Sequence, residues 1–180
     1  MITIASRKAW SAILFIIAAS AASGQETPRV KPSQTGTVSQ EIGATKIALQ
    51  YDRPVARGRE LFGSLVKWGI VWSPSANFAT TIDISEDITV QGDPLPKGKY
   101  SIWSIPGEQE WTIIFNKKER VHHLQYPEGE DVLRVKTRPE QGSHMEVLAY
   151  YFPVVGPDSA IMRLHWGTTM VPVTIKTTRQ

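Results

Sequence analysis

The sequence predicts an all-β fold, a single antiparallel β-sandwich of about ten strands with one short helical turn near 59–66. Three observations carry this expectation. Apolar residues recur with period two in short runs through most of the chain, the spacing of strands that bury one face and wet the other. Gly, Pro and Asp punctuate the runs at intervals usual for sandwiches and barrels. No long stretch repeats with helical period.

Taken in order, Ile47, Leu49 and Tyr51 alternate with Ala48, Gln50 and Asp52. Thr80, Ile82 and Ile84 then alternate with Thr81, Asp83 and Ser85. Ile88 to Val90 is a short run closed by Gly92-Asp93, and Pro96-Lys97-Gly98 is a turn ahead of Tyr100. Tyr100 to Ile105 and Trp111 to Phe115 are apolar on both faces, which predicts central strands covered on both sides, divided by Pro106-Gly107. Leu133, Val135 and Thr137 alternate with arginines and a lysine. Met162, Leu164 and Trp166 alternate with Arg163 and His165, which places His165 on a wet face. Val171, Val173 and Ile175 end the pattern, and Pro172 among them predicts a strand that is edge or bulged. The helical turn is expected where Leu61, Phe62 and Leu65 share a face.

The N-terminus has the form of a secretory signal. Arg7 and Lys8 precede an apolar stretch centred on Ile13-Leu14-Phe15-Ile16-Ile17, and Ala22-Ser23-Gly24 offers a cleavage site before Gln25. The expected organisation is a signal peptide at 1–24, a loose leader at 25–35 and a sandwich domain at 36–178. The apolar stretch is shorter than the roughly 20 residues a spanning helix needs. The expected location is therefore extracytoplasmic, periplasm or secreted medium, with no membrane span after signal removal. Signal removal takes two of the 20 basic side chains, leaving 18 against 17 acidic ones. A near-neutral chain gives no electrostatic footprint for nucleic acid or anionic membrane. The absence of Cys excludes thiol nucleophiles, thiolate metal sites and disulfides.

Tyr51 to Thr81 concentrates three arginines, two tryptophans and an asparagine in a segment with little periodicity, the signature of a long structured crossing loop. Arg53 follows the inward parity of Tyr51, so its guanidinium is expected at the rim of the core. There it needs an anion or a carbonyl: Asp83, Asp87, Glu130 or Asp131, or a ligand anion. Arg59 and Arg57 flank Gly58 and either join Arg53 in an anion clamp or stay solvated. Trp72 precedes the loop Ser73-Pro74-Ser75-Ala76-Asn77 and is expected to be partly exposed, whereas Trp103 and Trp111 are expected in the core. Asn77 suits a ligand or a buried turn. The candidate binding set is thus Tyr51, Arg53, Arg59, Trp72 and Asn77.

His122 and His123 are weak metal candidates, because no His-x-His or His-Glu-x-x-His spacing supports them. Glu128 and Asp131 are the carboxylates that would have to converge on them. Signatures of a nucleophile elbow, a phosphate loop or a dinucleotide site are missing from the sequence. No cofactor is expected.

Several longer motifs carry a family likeness. They are Tyr51-Asp52-Arg53-Pro54, Gly58-Arg59-Glu60-Leu61-Phe62-Gly63 and Leu95-Pro96-Lys97-Gly98-Lys99-Tyr100-Ser101, with Trp111-Thr112-Ile113-Ile114-Phe115-Asn116-Lys117 and Asp131-Val132-Leu133-Arg134-Val135 further on. On these the chain resembles the bacterial secreted family catalogued as domain of unknown function 2911, over roughly residues 33–177. The resemblance implies export and a β-rich fold, and no activity. Two departures are visible. Ser73-Pro74-Ser75-Ala76-Asn77 stands where the family pattern is similar to Arg-x-Gly-Ala-Asn, and His122-His123-Leu124 stands where a Gln-Trp-Gly element is usual.

The functional expectation is an exported, non-enzymatic sandwich that binds a small ligand, glycan or protein partner through 51–81. The alternatives are an extracytoplasmic hydrolase or metal-dependent enzyme using His122 or His123, and a structural protein of the envelope.

Overall fold

The computed structural model describes residues 31–178. The signal expected at 1–24 and most of the leader lie outside the described residues. Ten strands follow in chain order: β1 (Gln34–Ile42), β2 (Thr45–Arg53), β3 (Thr80–Ile84), β4 (Ile88–Val90) and β5 (Asp93–Leu95), then β6 (Gly98–Ile105), β7 (Trp111–Asn116), β8 (Asp131–Thr137), β9 (Glu140–Val155) and β10 (Ser159–Thr177). They form a six-stranded sheet of order β1-β2-β3-β6-β7-β8 and a four-stranded sheet of order β5-β4-β10-β9, antiparallel throughout.

One hydrophobic cluster holds both sheets together. Ile47, Leu49 and Tyr51 of β2, Ile82 and Ile84 of β3, and Trp111, Ile113 and Phe115 of β7 meet Met162, Leu164, Trp166, Val173 and Ile175 of β10. These are the residues that period-two patterning turns inward, so the sandwich is the packing of two apolar faces. A smaller cluster, Ala79, Trp103 and Ile114 with Val71, Ile105, Val121 and Tyr126 against it, lies on the outer face of β6 and β7. It explains why these two strands are apolar on both sides: the inner face meets the other sheet, and the outer face is roofed by flanking loops.

β2 and β3 are hydrogen-bonded neighbours, yet 26 residues separate them. That connection crosses to the other sheet and returns. Val55 bridges to Val147 of β9, Trp72 bridges to Ser104 of β6, and Phe78 bridges to His122. Between these anchor points Ala56, Leu61 and Val66 are buried in the main core. The segment is a plug over one end of the sandwich, and its aromatic content fills the gap between the sheets.

Two local expectations are corrected and a third is narrowed. No helix occurs at 59–66 or elsewhere among the described residues. Instead Leu65 N–H donates to the Glu60 carbonyl at 3.3 Å and Val66 N–H to the Leu61 carbonyl at 2.7 Å, a loop wider than an α-turn. Gly63 sits inside it at φ +88°, a conformation that ends any helix there. His165 is buried, not wet, at 3 % exposure. Its Nδ1 lies 3.1 Å from the Tyr151 hydroxyl and its Nε2 lies 3.0 Å from the Ser143 carbonyl, which requires the Nε2–H tautomer if the ring is neutral. Of the two options left by Pro172, β10 takes the second: it is an interior strand, not an edge, and it is bulged. Its irregularities fall between Ile161 and Thr169. Pro172 comes after the last β9 partner, at Met170, and before the first β4 partner, at Ile175, so its missing N–H breaks no ladder.

Candidate functional site

The 51–81 segment divides its polar and aromatic residues between two places. The first is the end of β2. Asp52 is 5 % exposed, although it sits next to buried Tyr51 and so breaks the alternation. Its carboxylate accepts from the Thr35 hydroxyl at 2.6 Å and from the Asn77 amide at 2.9 Å. Its backbone N–H donates to the Ser75 hydroxyl at 2.9 Å. A carboxylate this buried is held by donors, and these three residues come from two different segments. Asn77 adopts φ +57°, which an asparagine tolerates and which aims its amide back at Asp52. The Asn77 backbone carbonyl accepts from the His123 backbone N–H at 3.0 Å. The 73–77 loop and the His122-His123 pair thus meet in space. Burial and the neighbouring His122 lower the His123 pKa, partly opposed by the charge of Asp52.

Tyr51 points into the core, where its hydroxyl accepts from the Tyr150 N–H at 3.0 Å and the two rings meet edge to face at 4.8 Å. Arg53 donates its Nε–H to the Leu148 carbonyl at 3.1 Å, and its methylenes pack on Gly36, where a Cβ would lie 2.6 Å from the Arg53 Cδ. The acids proposed for it have other partners. Asp83 pairs with Lys99, Glu130 with Lys117, and Asp131 with Arg134, while Asp87 accepts from the Lys97 N–H.

From the outer face of the six-stranded sheet, an open groove of about 720 Å³ runs past Asp52. Three rungs cross it. Thr35 pairs with Asp52; Thr37 with Gln50, which pairs with Thr81; and Ser39 with Ala48, which pairs with Asp83, itself opposite Lys99. Phe78, half-exposed, and Glu119 with Arg120 also line the groove. Its charges balance: Asp52, Asp83 and Glu119 against Lys31, Lys99 and Arg120.

The second place is the plugged end of the sandwich. Phe62 lies at the centre of an aromatic cluster, edge to face with Trp111 at 5.0 Å, Trp72 at 5.8 Å and Trp166 at 6.2 Å. Trp72 stacks on Trp166 at 6.0 Å with the planes 9° apart, and is half-buried, as the loop after it implies. Trp103 and Trp111 are both core residues. Arg59 donates Nε–H to the Ala56 carbonyl at 2.9 Å and Nη2–H to the Val55 carbonyl at 2.6 Å, closing the bend at Gly58. Beside it a cavity of about 390 Å³ is lined by Phe62, Trp68 and Trp166, with Glu108, Gln141, His144, Thr168 and Thr169 among its polar residues. Sequence reasoning missed Asp52, Gln50, Thr81 and Trp68. Only Asp52 left a signal, as a carboxylate at the end of a strand that otherwise points inward at odd positions.

His122 and His123 are ring neighbours at 4.8 Å, beside the Asp52–Asn77 pair. Glu128 and Asp131 do not join them in a candidate metal centre: among the described residues no group of three or more His, Asp or Glu side chains is placed to hold a metal.

The fold and these surfaces define a two-sheet all-β protein with a polar groove on one sheet and an aromatic cavity at one end. The chain belongs to a family described as protein of unknown function (DUF2911), whose sequence model matches residues 33–175. Comparison with curated proteins and with solved structures returns no match.

Proposed function

We propose that this chain is an exported binding protein that takes a neutral, polyhydroxylated ligand, a glycan chain, along the groove of the six-stranded sheet. The observation that supports this reading is the set of hydroxyl, amide and carboxylate side chains ordered in strand register across β1, β2, β3 and β6. Such a surface offers donors and acceptors at fixed spacing, and its balanced charges favour neither a polyanion nor a polycation. Asp52 is fixed at one end by Thr35 and Asn77, so a ligand hydroxyl meeting it pays little ordering entropy. Phe78 supplies an apolar face at the rim.

Thermal unfolding with a panel of neutral oligosaccharides tests the reading. A binder present at a hundredfold excess over its Kd stabilises the fold by about 2.7 kcal/mol, a shift of several degrees. Gln50→Ala and Thr81→Ala should abolish the shift. If no neutral glycan raises the melting temperature, the groove is not a glycan site.

A hydrolytic alternative has one observation in its favour: His123, held neutral by its lowered pKa, lies near the Asp52 carboxylate at the end of the groove. Release of reducing ends from the same panel, lost in His123→Gln, is the outcome it requires.

A further inference from the structure

The cavity at the plugged end shares no residue with the groove. We infer that it is a second, separate binding site, built for a single pyranose ring stacked on Trp68. Trp68 is 37 % exposed, unusual for a tryptophan whose other face is packed: it stacks on Phe62 at 6.2 Å with the planes 24° apart. Its position is fixed from below, because Gly63 leaves room for the indole where a Cβ would lie 2.7 Å from Nε1. An indole anchored on one side and open on the other is a platform for a flat apolar face.

The rest of the lining selects what that face belongs to. Glu108, Gln141, Thr168 and Thr169 place a carboxylate, an amide and two hydroxyls around one opening. A planar aromatic ligand would leave this rim unmatched. A cation would meet Arg59, and an anion would meet Glu108. A pyranose offers apolar C–H groups on one face and hydroxyls around its edge, which matches both parts. The space, about 390 Å³ and open to solvent, suits one ring lying on the indole rather than an enclosed ligand. A second observation points the same way. Trp166 lines the cavity, and its Nε1–H is buried without a hydrogen-bond partner among the described residues.

The test is titration of the intact protein with methyl pyranosides of gluco, galacto, manno and xylo configuration, followed by tryptophan fluorescence. The groove lining holds no tryptophan, so this signal reports on the cavity. A saturable change is expected for at least one of them, at least tenfold weaker in Trp68→Ala, the equivalent of about 1.4 kcal/mol. Glu108→Ala, an exposed change that leaves the aromatic cluster intact, should weaken it in parallel. The inference is overturned if no pyranoside saturates by about 100 mM, where binding would be weaker than about 1.4 kcal/mol. It is equally overturned if the response survives both substitutions, or if indole saturates the signal and no pyranoside does. Failure here leaves the groove reading intact, since that is judged by oligosaccharide melting shifts and by Gln50 and Thr81.

Discussion

Asp52 shows how one side chain can settle a local arrangement. Its carboxylate ties β1, through Thr35, to the loop ahead of β3, through Asn77. Asp52→Ala leaves both donors without their acceptor and should cost about 3 kcal/mol, read as a lower urea midpoint at unchanged slope. A loss within experimental error would mean that the network is solvated in solution. His123 makes a pH prediction. Its folded pKa is lowered, chiefly by burial and then by His122, so the unfolded chain, with an ordinary value near 6.5, binds the proton first as pH falls. Its contribution is complete above about pH 6.5 and is lost as pH drops through the folded value. Urea midpoints measured from pH 8 down to pH 5 should decline in the wild type and decline less in His123→Gln; equal declines would assign the titration to another group. Neither role was legible beforehand. Asp52 occupies an even position of a strand whose odd positions face the core, and its burial comes from Asn77 and Ser75, which arrive from beyond the plug. His165 was misread for the same reason, since Tyr151 and Ser143 of β9 enclose it.

At the scale of elements, strands with one apolar face could be read directly. β2, β3, β8 and the second half of β10 bury the residues their alternation selects. β6 and β7 are covered on both sides, as their two-faced composition requires. β1 and β9 gave no such signal. β1 is an edge strand of mostly exposed polar residues with little apolar contrast. β9 is the other sheet's edge, and its first eight residues are largely exposed. The connection between β2 and β3 is legible in the sequence as a structured crossing, but which of its residues pack is not. Phe62 touches four tryptophans and holds that packing together. Phe62→Ala should therefore cost about 3 kcal/mol, the low end of the range for removing a core aromatic, since Phe62 is only partly buried. The same variant should perturb tryptophan fluorescence before any denaturant is added. A small cost with unchanged fluorescence would show that the tryptophans close the gap by themselves.

Across the whole molecule, both sheets contribute to one core cluster, and the plug contributes Ala56, Leu61 and Val66 to it. Such a body has no internal boundary at which half could unfold alone. Equilibrium unfolding followed by far-ultraviolet circular dichroism and by tryptophan fluorescence should give coincident transitions. Earlier loss of the fluorescence signal would mean that the plug opens as a separate unit. The alternation in the sequence by itself determined the all-β class, the antiparallel pairing and most of the inward-facing residues, because a period of two reports which face of a strand leaves water. The family resemblance it carried was equally legible, since motifs are local in the chain. Only the tertiary structure decided that Asn77 holds Asp52 beside the groove, that Tyr51 and Arg53 find their partners on β9, and that Arg59 and Trp72 belong to the aromatic plug. It also decided that Asp52 and Trp68 stand at the two surfaces. Those outcomes depend on contacts between segments far apart in the chain, and local periodicity carries no information about which distant segment will cover a given side chain.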